Sequence, residues 1–316
     1  MHEIQKGTCF NEAKAYDADK AYAINDVVEF SDSKYICILA TTNNNPTNAI
    51  YWEPLSQKGK ETVEEFGDQF NVYNNIEGYW GSVEMLKDIV YPFDLNEIKD
   101  KKICEIGSGS GRIIKKLNSF KPSKILAVEP SSAIEVAKFN NKDTSIEFLN
   151  IRGQNLSFKE EFDYIFSLGV IHHIPEYEIV CKKIYNSLKF NGKFIIWVYG
   201  YENNEIYLKI FNNLRRVTSI MPDFLLRFLC KILNVSAILY IFLCRLFNLP
   251  LKEYFIKIFS KCSFKKREEI IFDQLNPSFS KYFKKKELES LLINSGFSKI
   301  KINHRHNYSW TAIAEK

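Results

Sequence analysis

Lys102-Ile103-Cys104-Glu105-Ile106-Gly107-Ser108-Gly109-Ser110-Gly111-Arg112 reads as a β-strand that breaks into a glycine-rich turn and re-enters as a helix near Arg112. Glycines here let the backbone take conformations closed to other residues and let a ligand approach the main chain, while the helix start supplies unpaired N–H groups. The spacing is G-x-G-x-G, not the G-x-G-x-x-G of a dinucleotide site, whose pyrophosphate needs the helix N-terminus. Glu105, two residues before the first glycine, would repel a pyrophosphate and attract a cationic amino-acid end. The next candidate strand ends in Leu126-Ala127-Val128-Glu129-Pro130-Ser131, where the Glu129 carboxylate can accept both hydroxyls of a ribose. Together the two acids suit a nucleoside with a zwitterionic tail and no phosphate.

Outward from this turn the chain alternates strands with helices, the pattern of an α/β protein whose parallel sheet is covered on both faces. Candidate strands are 102–106, 125–129, 146–150, 162–167 and 193–198, and a later pair, 298–303 and 308–314, predicts an antiparallel hairpin at the sheet edge. Between them residues 203–272 are rich in Leu, Ile, Phe, Lys and Arg and read as helical throughout. The longest run there without a charge, 232–244, is 13 residues, short of the roughly 18–20 that span a bilayer. Tyr207, Ile210, Phe211, Leu214 and Val217 recur at helical spacing with Lys209, Arg215 and Arg216 on other faces, which predicts an amphipathic helix with peripheral membrane contact. Residues 20–56 read instead as short strands, with a turn at Ser31-Asp32-Ser33 between 26–30 and 34–40. The composition of 56–60 suggests a linker, so a small β module is expected at 1–58.

Four motifs in order make the segment 62–316 resemble the class I S-adenosylmethionine-dependent methyltransferases. They are the glycine turn, Glu129 as the ribose-binding acid, the fourth-strand string Phe162-Asp163-Tyr164-Ile165-Phe166-Ser167-Leu168-Gly169-Val170-Ile171-His172-His173-Ile174-Pro175, and Leu188-Lys189-Phe190-Asn191-Gly192-Lys193 before strand five. The resemblance implies a seven-stranded Rossmann-like sheet with a helical insert at about 203–272. It implies S-adenosylmethionine as cofactor, with contacts from Glu105, Gly107, Ser108, Gly109, Gly111, Glu129, Pro130, Gln154, Asn155 and Leu168. After strand three the family commonly carries an acid for the adenine amino group; here Arg152-Gly153-Gln154-Asn155 stands there, and Gln154 or Asn155 would accept that hydrogen bond. The 22–52 region, with its Asn-rich loop and Trp52, is similar to the small carbohydrate-binding modules of chitinases, which present aromatic rings to sugar faces.

Methyl transfer from a sulfonium is an in-line displacement that alignment alone can accelerate, and a base is needed only where the acceptor must lose a proton. His172 and His173, just past strand four, are candidates for that base. Tyr199, His304 and His306 would line an acceptor pocket with aromatic walls and polar ends, and Asp273 and Asn276 are further candidate acceptor contacts. No metal site is expected. The seven cysteines are an odd set with no C-x-x-C pair, and the first residues lack the pattern of a signal peptide, so a reducing cytoplasmic setting is expected. Of the charges, residues 201–316 carry 20 basic and 10 acidic side chains while 1–200 carry 23 and 28; such a basic third suits a nucleic acid, an anionic membrane surface or a phosphorylated substrate, or is a solvated lysine-rich surface, and of these no nucleic acid is expected. The leading expectation is O-methylation of a glycan, nucleotide-linked sugar or phosphorylated sugar precursor in surface polysaccharide biosynthesis. The alternatives are a lipid or quinone-type acceptor, or a non-catalytic binding protein with a degenerate fold of this class.

Overall fold

The computed structural model describes residues 14–22, 26–37, 40–72, 76–142, 144–218, 221–275 and 280–316. Six short strands come first: β1 (Lys14–Ala15), β2 (Ala21–Tyr22), β3 (Val27–Phe30), β4 (Ser33–Cys37), β5 (Thr41–Thr42) and β6 (Trp52–Pro54). Ser31 and Asp32 both take positive φ, 49° and 59°, the two-residue hairpin turn whose twist matches that of the flanking strands. Residues 38 and 39 of the expected strand 34–40 lie outside the described residues. Tyr22 and Trp52 are 4% and 1% exposed and pack with Val28 and Cys37. These rings fill the core of the module, so they present no face to a sugar. The stretch 56–60, expected as a linker, instead lies in helix α1 (Leu55–Val72), and Lys34 of β4 pairs with Glu178 at 2.8 Å.

The main sheet comprises β7 (Lys102–Ile106), β8 (Lys124–Val128), β9 (Glu147–Leu149), β10 (Phe162–Leu168), β11 (Leu188–Tyr199), β12 (Ser298–Arg305) and β13 (Ser309–Glu315), in the order β12-β13-β11-β10-β7-β8-β9. The first five run parallel; β13 is antiparallel to both β11 and β12. Alternate residues of a strand face opposite sides, and each side is sealed by helices. Cys104, Ile106, Leu126 and Val128 pack under α5 (Tyr177–Ser187) and α10 (Lys285–Asn294), whereas Ile103, Ile125 and Ala127 pack under α2 (Val83–Val90) and α3 (Arg112–Asn118). Burial on both faces explains why these strands read as near-continuous apolar runs. α4 (Ala133–Asn140) follows β8.

The insert contributes α6 (Glu205–Thr218), α7 (Asp223–Leu246), α8 (Lys252–Lys257) and α9 (Phe264–Leu275). Its two ends are stapled together: the Phe283 N–H donates to the Tyr199 carbonyl at 2.9 Å, the Tyr201 N–H to the Phe283 carbonyl at 2.9 Å, and the Lys281 N–H to the His172 carbonyl at 2.8 Å. By length and composition alone α7 is apolar enough to cross a membrane over Phe224–Leu246, which the count of uncharged residues did not anticipate because Arg227, Lys231 and Arg245 interrupt it.

One buried ion pair locks the hairpin to the helical layer. The Arg305 side chain, 1% exposed, donates from Nε and a terminal nitrogen to Asp88 Oδ2 of α2 and from its other nitrogen to the Tyr308 hydroxyl. Burial raises the Asp88 pKa, but the His306 hydrogen bond and the Arg305 charge outweigh it and hold the carboxyl below its usual range. Removing one partner strands a buried guanidinium, which costs about 3 kcal/mol. Asp88→Ala is therefore expected to lower unfolding free energy by about that much in a urea titration at neutral pH; an unchanged midpoint contradicts the lock.

Candidate active site

The glycine turn lies where β7 meets the C-terminal end of β8, beside β10, the position at which open α/β sheets bind ligands. Gly107 and Ser108 donate their N–H groups to the Val128 carbonyl at 2.7 and 3.1 Å. Gly107 and Gly109 sit at φ 77° and 51°, and side chains there would also collide: a Cβ on Gly107 would come within 2.4 Å of Val170 and one on Gly109 within 2.9 Å of the Phe70 ring. Glu129, 6% exposed, holds the turn from the neighbouring strand. Its Oε2 accepts the Gly109 N–H at 2.8 Å, and its Oε1 accepts the Ser131 N–H at 3.0 Å and hydroxyl at 2.6 Å. A carboxylate offers about four acceptor positions, so capacity for a ribose hydroxyl remains.

A cavity of about 680 Å³ opens from this turn. Gly107, Ser108, Gly109, Glu129, Pro130, Gln154 and Leu168 line it. Three other expected cofactor residues do not. Gly111 caps α3 and packs on Ala137 and Asn141, and Asn155 closes the turn 153–155 away from the lumen. Glu105 is 1% exposed beneath the turn, outside the lining. Burial pushes its carboxyl up to about 8 against the charge of Arg112, and its Oε2 has no hydrogen-bond partner. Arg152 and Gly153 line the cavity beside Gln154, whose amide donates to Glu176 at 2.8 Å.

The two histidines separate. His172 is fully buried, neither ring nitrogen has a partner, and its ring packs at a tilt 4.0 Å from that of Tyr199. Burial holds its pKa well below the usual value, so it stays neutral, and it does not line the cavity. His173 does, edge-on to Phe66 at 4.8 Å. Tyr199 and Asp273 also line it; Asn276 lies outside the described residues. The expected His304 and His306 contacts are corrected. His304 stacks on Trp310 at 3.9 Å, its strand position turning it away from the cavity, and His306 meets Asp88 at 2.8 Å.

Asp273 accepts a hydrogen bond from the Gln69 amide, and burial, then the charge of Glu269, pushes its carboxyl up to about 7. Beside it Gln274 donates to the Tyr199 hydroxyl at 3.1 Å and accepts from the hydroxyls of Tyr207 at 2.7 Å and Tyr282 at 2.9 Å. The sequence reading missed Gln69, Gln274 and Tyr207, and with them the whole α1 wall of Thr62, Phe66 and Phe70. The spacing Thr62, Phe66, Gln69, Phe70 was a helical signal available in the sequence.

Residues 104–196 match the family model described as "Methyltransferase domain". The match and the seven-stranded sheet give this segment a methyltransferase-like fold, and S-adenosylmethionine is the cofactor of that fold family. The chain is similar to proteins named tRNA U34 carboxymethyltransferase: 26% identity over 106 residues with that of Helicobacter pylori strain P12, covering 31% of this chain and 41% of the relative. With that of Sulfurimonas denitrificans it shares 26% over 114 residues, covering 34% and 38%. The chain thus spans about two-fifths of the length of the curated relatives it matches. Among solved structures, human N-acetylserotonin methyltransferase in complex with SAM aligns at 14% identity and TM-score 0.45, over 83% of this chain and 65% of that one.

The buried Glu105 gives the domain a pH signature. Its folded pKa of about 8 exceeds the ordinary 4.5, so the native state keeps a proton that the unfolded chain releases, and stability falls as pH rises between those values. Glu105→Gln removes this term. The variant is expected to lose less unfolding free energy than wild type between pH 5 and 8, the gap reaching on the order of a few kcal/mol; parallel curves contradict the buried assignment.

Proposed function

We propose that this chain is an S-adenosylmethionine-dependent methyltransferase whose acceptor is an apolar or amphipathic small molecule bearing an ionisable group. The observation that carries this reading is one continuous cavity joining the Glu129 end to a chamber walled by Tyr207, Phe211, Tyr240, Tyr254, Phe255 and Phe259 of the insert region. Such walls complement a ring or a hydrocarbon chain, and burial of apolar surface there supplies affinity without polar specificity. The sugar acceptor expected from the sequence drew on His304 and His306, which do not line the cavity, on a sugar-module resemblance whose Trp52 is buried, and on the basic C-terminal third, which does not distinguish the acceptors. The lipid or quinone-type alternative is the better match to this chamber.

The cofactor, when bound, supplies a methyl group on a sulfonium centre open to in-line displacement. The chain's own residues do the rest. Glu129 and the Gly107–Gly109 backbone hold the nucleoside end. The Tyr199–Gln274–Tyr207–Tyr282 network fixes the polar rim of the acceptor chamber. Asp273, whose carboxyl is near half ionisation at neutral pH, is the candidate to take a proton from an acceptor hydroxyl, with Gln69 fixing its orientation.

Calorimetric titration with S-adenosylmethionine and S-adenosylhomocysteine tests the first half: micromolar binding is expected, weakened roughly tenfold or more by Glu129→Ala, where a charge-assisted hydrogen bond is lost. Well-folded wild type that binds neither sinks the proposal. Asp273→Asn is expected to retain that affinity but to lower methyl transfer by about 10²-fold or more. The wild-type rate should rise with pH through about 7, where the Asp273 carboxyl loses its proton. Methylation of tRNA in preference to a lipid extract would move the acceptor towards that of the named relatives.

A further inference from the structure

We infer that α7 lies flat on an anionic lipid bilayer and that the acceptor enters the cavity from that bilayer. The helix is apolar on two opposite faces. Leu226, Cys230, Ala237, Ile241 and Cys244 form a seam, 0–9% exposed, of which the first four share a core cluster with Ile270, Ile271 and Phe272 of α9. Opposite them, Phe224, Phe228, Val235, Leu239, Phe242 and Leu246 lie on one side of the helix at spacings of three, four or seven residues, 55–70% exposed. A soluble helix needs the first face only. The second forms a stripe along a rod of about 36 Å, well beyond scattered exposed apolar residues.

Charge and the cavity identify what covers the stripe. Residues 224–246 contain Arg227, Lys231 and Arg245 and no acid. Lys231 and Arg245 are exposed; Lys231 sits within the stripe between Phe228 and Val235 and Arg245 at its edge, where long basic side chains reach up to lipid headgroups. The helix does not cross the bilayer, because the seam on α9 would have to open. Ile206 and Ile210 of α6 line the cavity yet are 63% and 59% exposed, and Ser236 of α7 is likewise both lining and exposed. They mark the mouth of the cavity on the insert, beside the apolar stripe. An apolar acceptor dissolved in the bilayer then reaches the chamber without crossing water, a step that rests on the methyltransferase reading; the docking itself does not.

The test is flotation of the full chain with phosphatidylcholine vesicles with and without phosphatidylglycerol. Wild type is expected to float with the anionic vesicles, less so at high salt, and to be extracted by alkaline carbonate. Phe228→Glu combined with Leu239→Glu, both on the exposed face, should weaken vesicle binding roughly tenfold or more while circular dichroism and S-adenosylmethionine affinity stay unchanged. Lys231→Glu should weaken binding to anionic vesicles only. Wild type that stays with the soluble fraction, or a double variant that floats as wild type does, overturns the proposal. So does resistance to carbonate, which would make α7 a span. A concentration-dependent dimer that the double variant abolishes, without vesicle binding, assigns the face to a second copy. Vesicle binding by a protein that fails the cofactor titration keeps the docking surface and rejects the enzyme; cofactor binding without flotation does the reverse.

Discussion

The Glu129 carboxylate is the constraint on which the cofactor end depends. It stands at the end of β8 and accepts the Gly109 N–H across the gap to the β7 turn, so two strands that are neighbours in the sheet become one wall. The same carboxylate accepts twice from Ser131, fixing the start of the segment that leads into α4. A group held by three donors has little rotamer entropy left to lose when a ligand hydroxyl arrives. Preorganisation here comes from hydrogen bonds that exist before any ligand does.

Beneath this wall the structure places a group the chemistry does not touch. Glu105 is buried with one oxygen unpartnered, opposite Arg112, whose guanidinium donates to the Trp80 carbonyl at 2.5 Å and lies 5.6 Å from the Trp80 ring. Burial favours the neutral acid, and Arg112 opposes that preference. The pair spans the end of β7 and the start of α3.

The fold was legible because its strands are buried on both faces, which leaves apolar runs in the sequence that no polar alternation disguises, and because Gly107 and Gly109 admit no substitute in the turn. The start of α1 was not legible: Lys58-Gly59-Lys60 resembles a linker, and the helix packs against β4, β6 and α4, partners that local spacing does not reveal. His172 and His173 are adjacent in sequence, yet one ring packs behind Tyr199 and the other reaches the lumen. Both lie in the single 3-10 turn Ile171–His173, where consecutive side chains point about 120° apart, and only packing says which of them faces in. His306 takes its meaning from Asp88, 218 residues away; spacing carries no trace of such a partner.

The position of the insert follows from topology. The chain leaves β11 at its C-terminal end, the edge where the glycine turn and Glu129 also lie, and it must return there to enter α10. The hydrogen bonds joining Tyr199, Tyr201 and Phe283 close that excursion at its base. Closing a long loop costs only slightly more than closing a short one, so what lies between the staples can vary without strain on the sheet. Anything placed there hangs over the cavity mouth. The sheet thereby fixes the cofactor end, while helices that contribute no strand shape the acceptor chamber and carry the outward apolar face of α7.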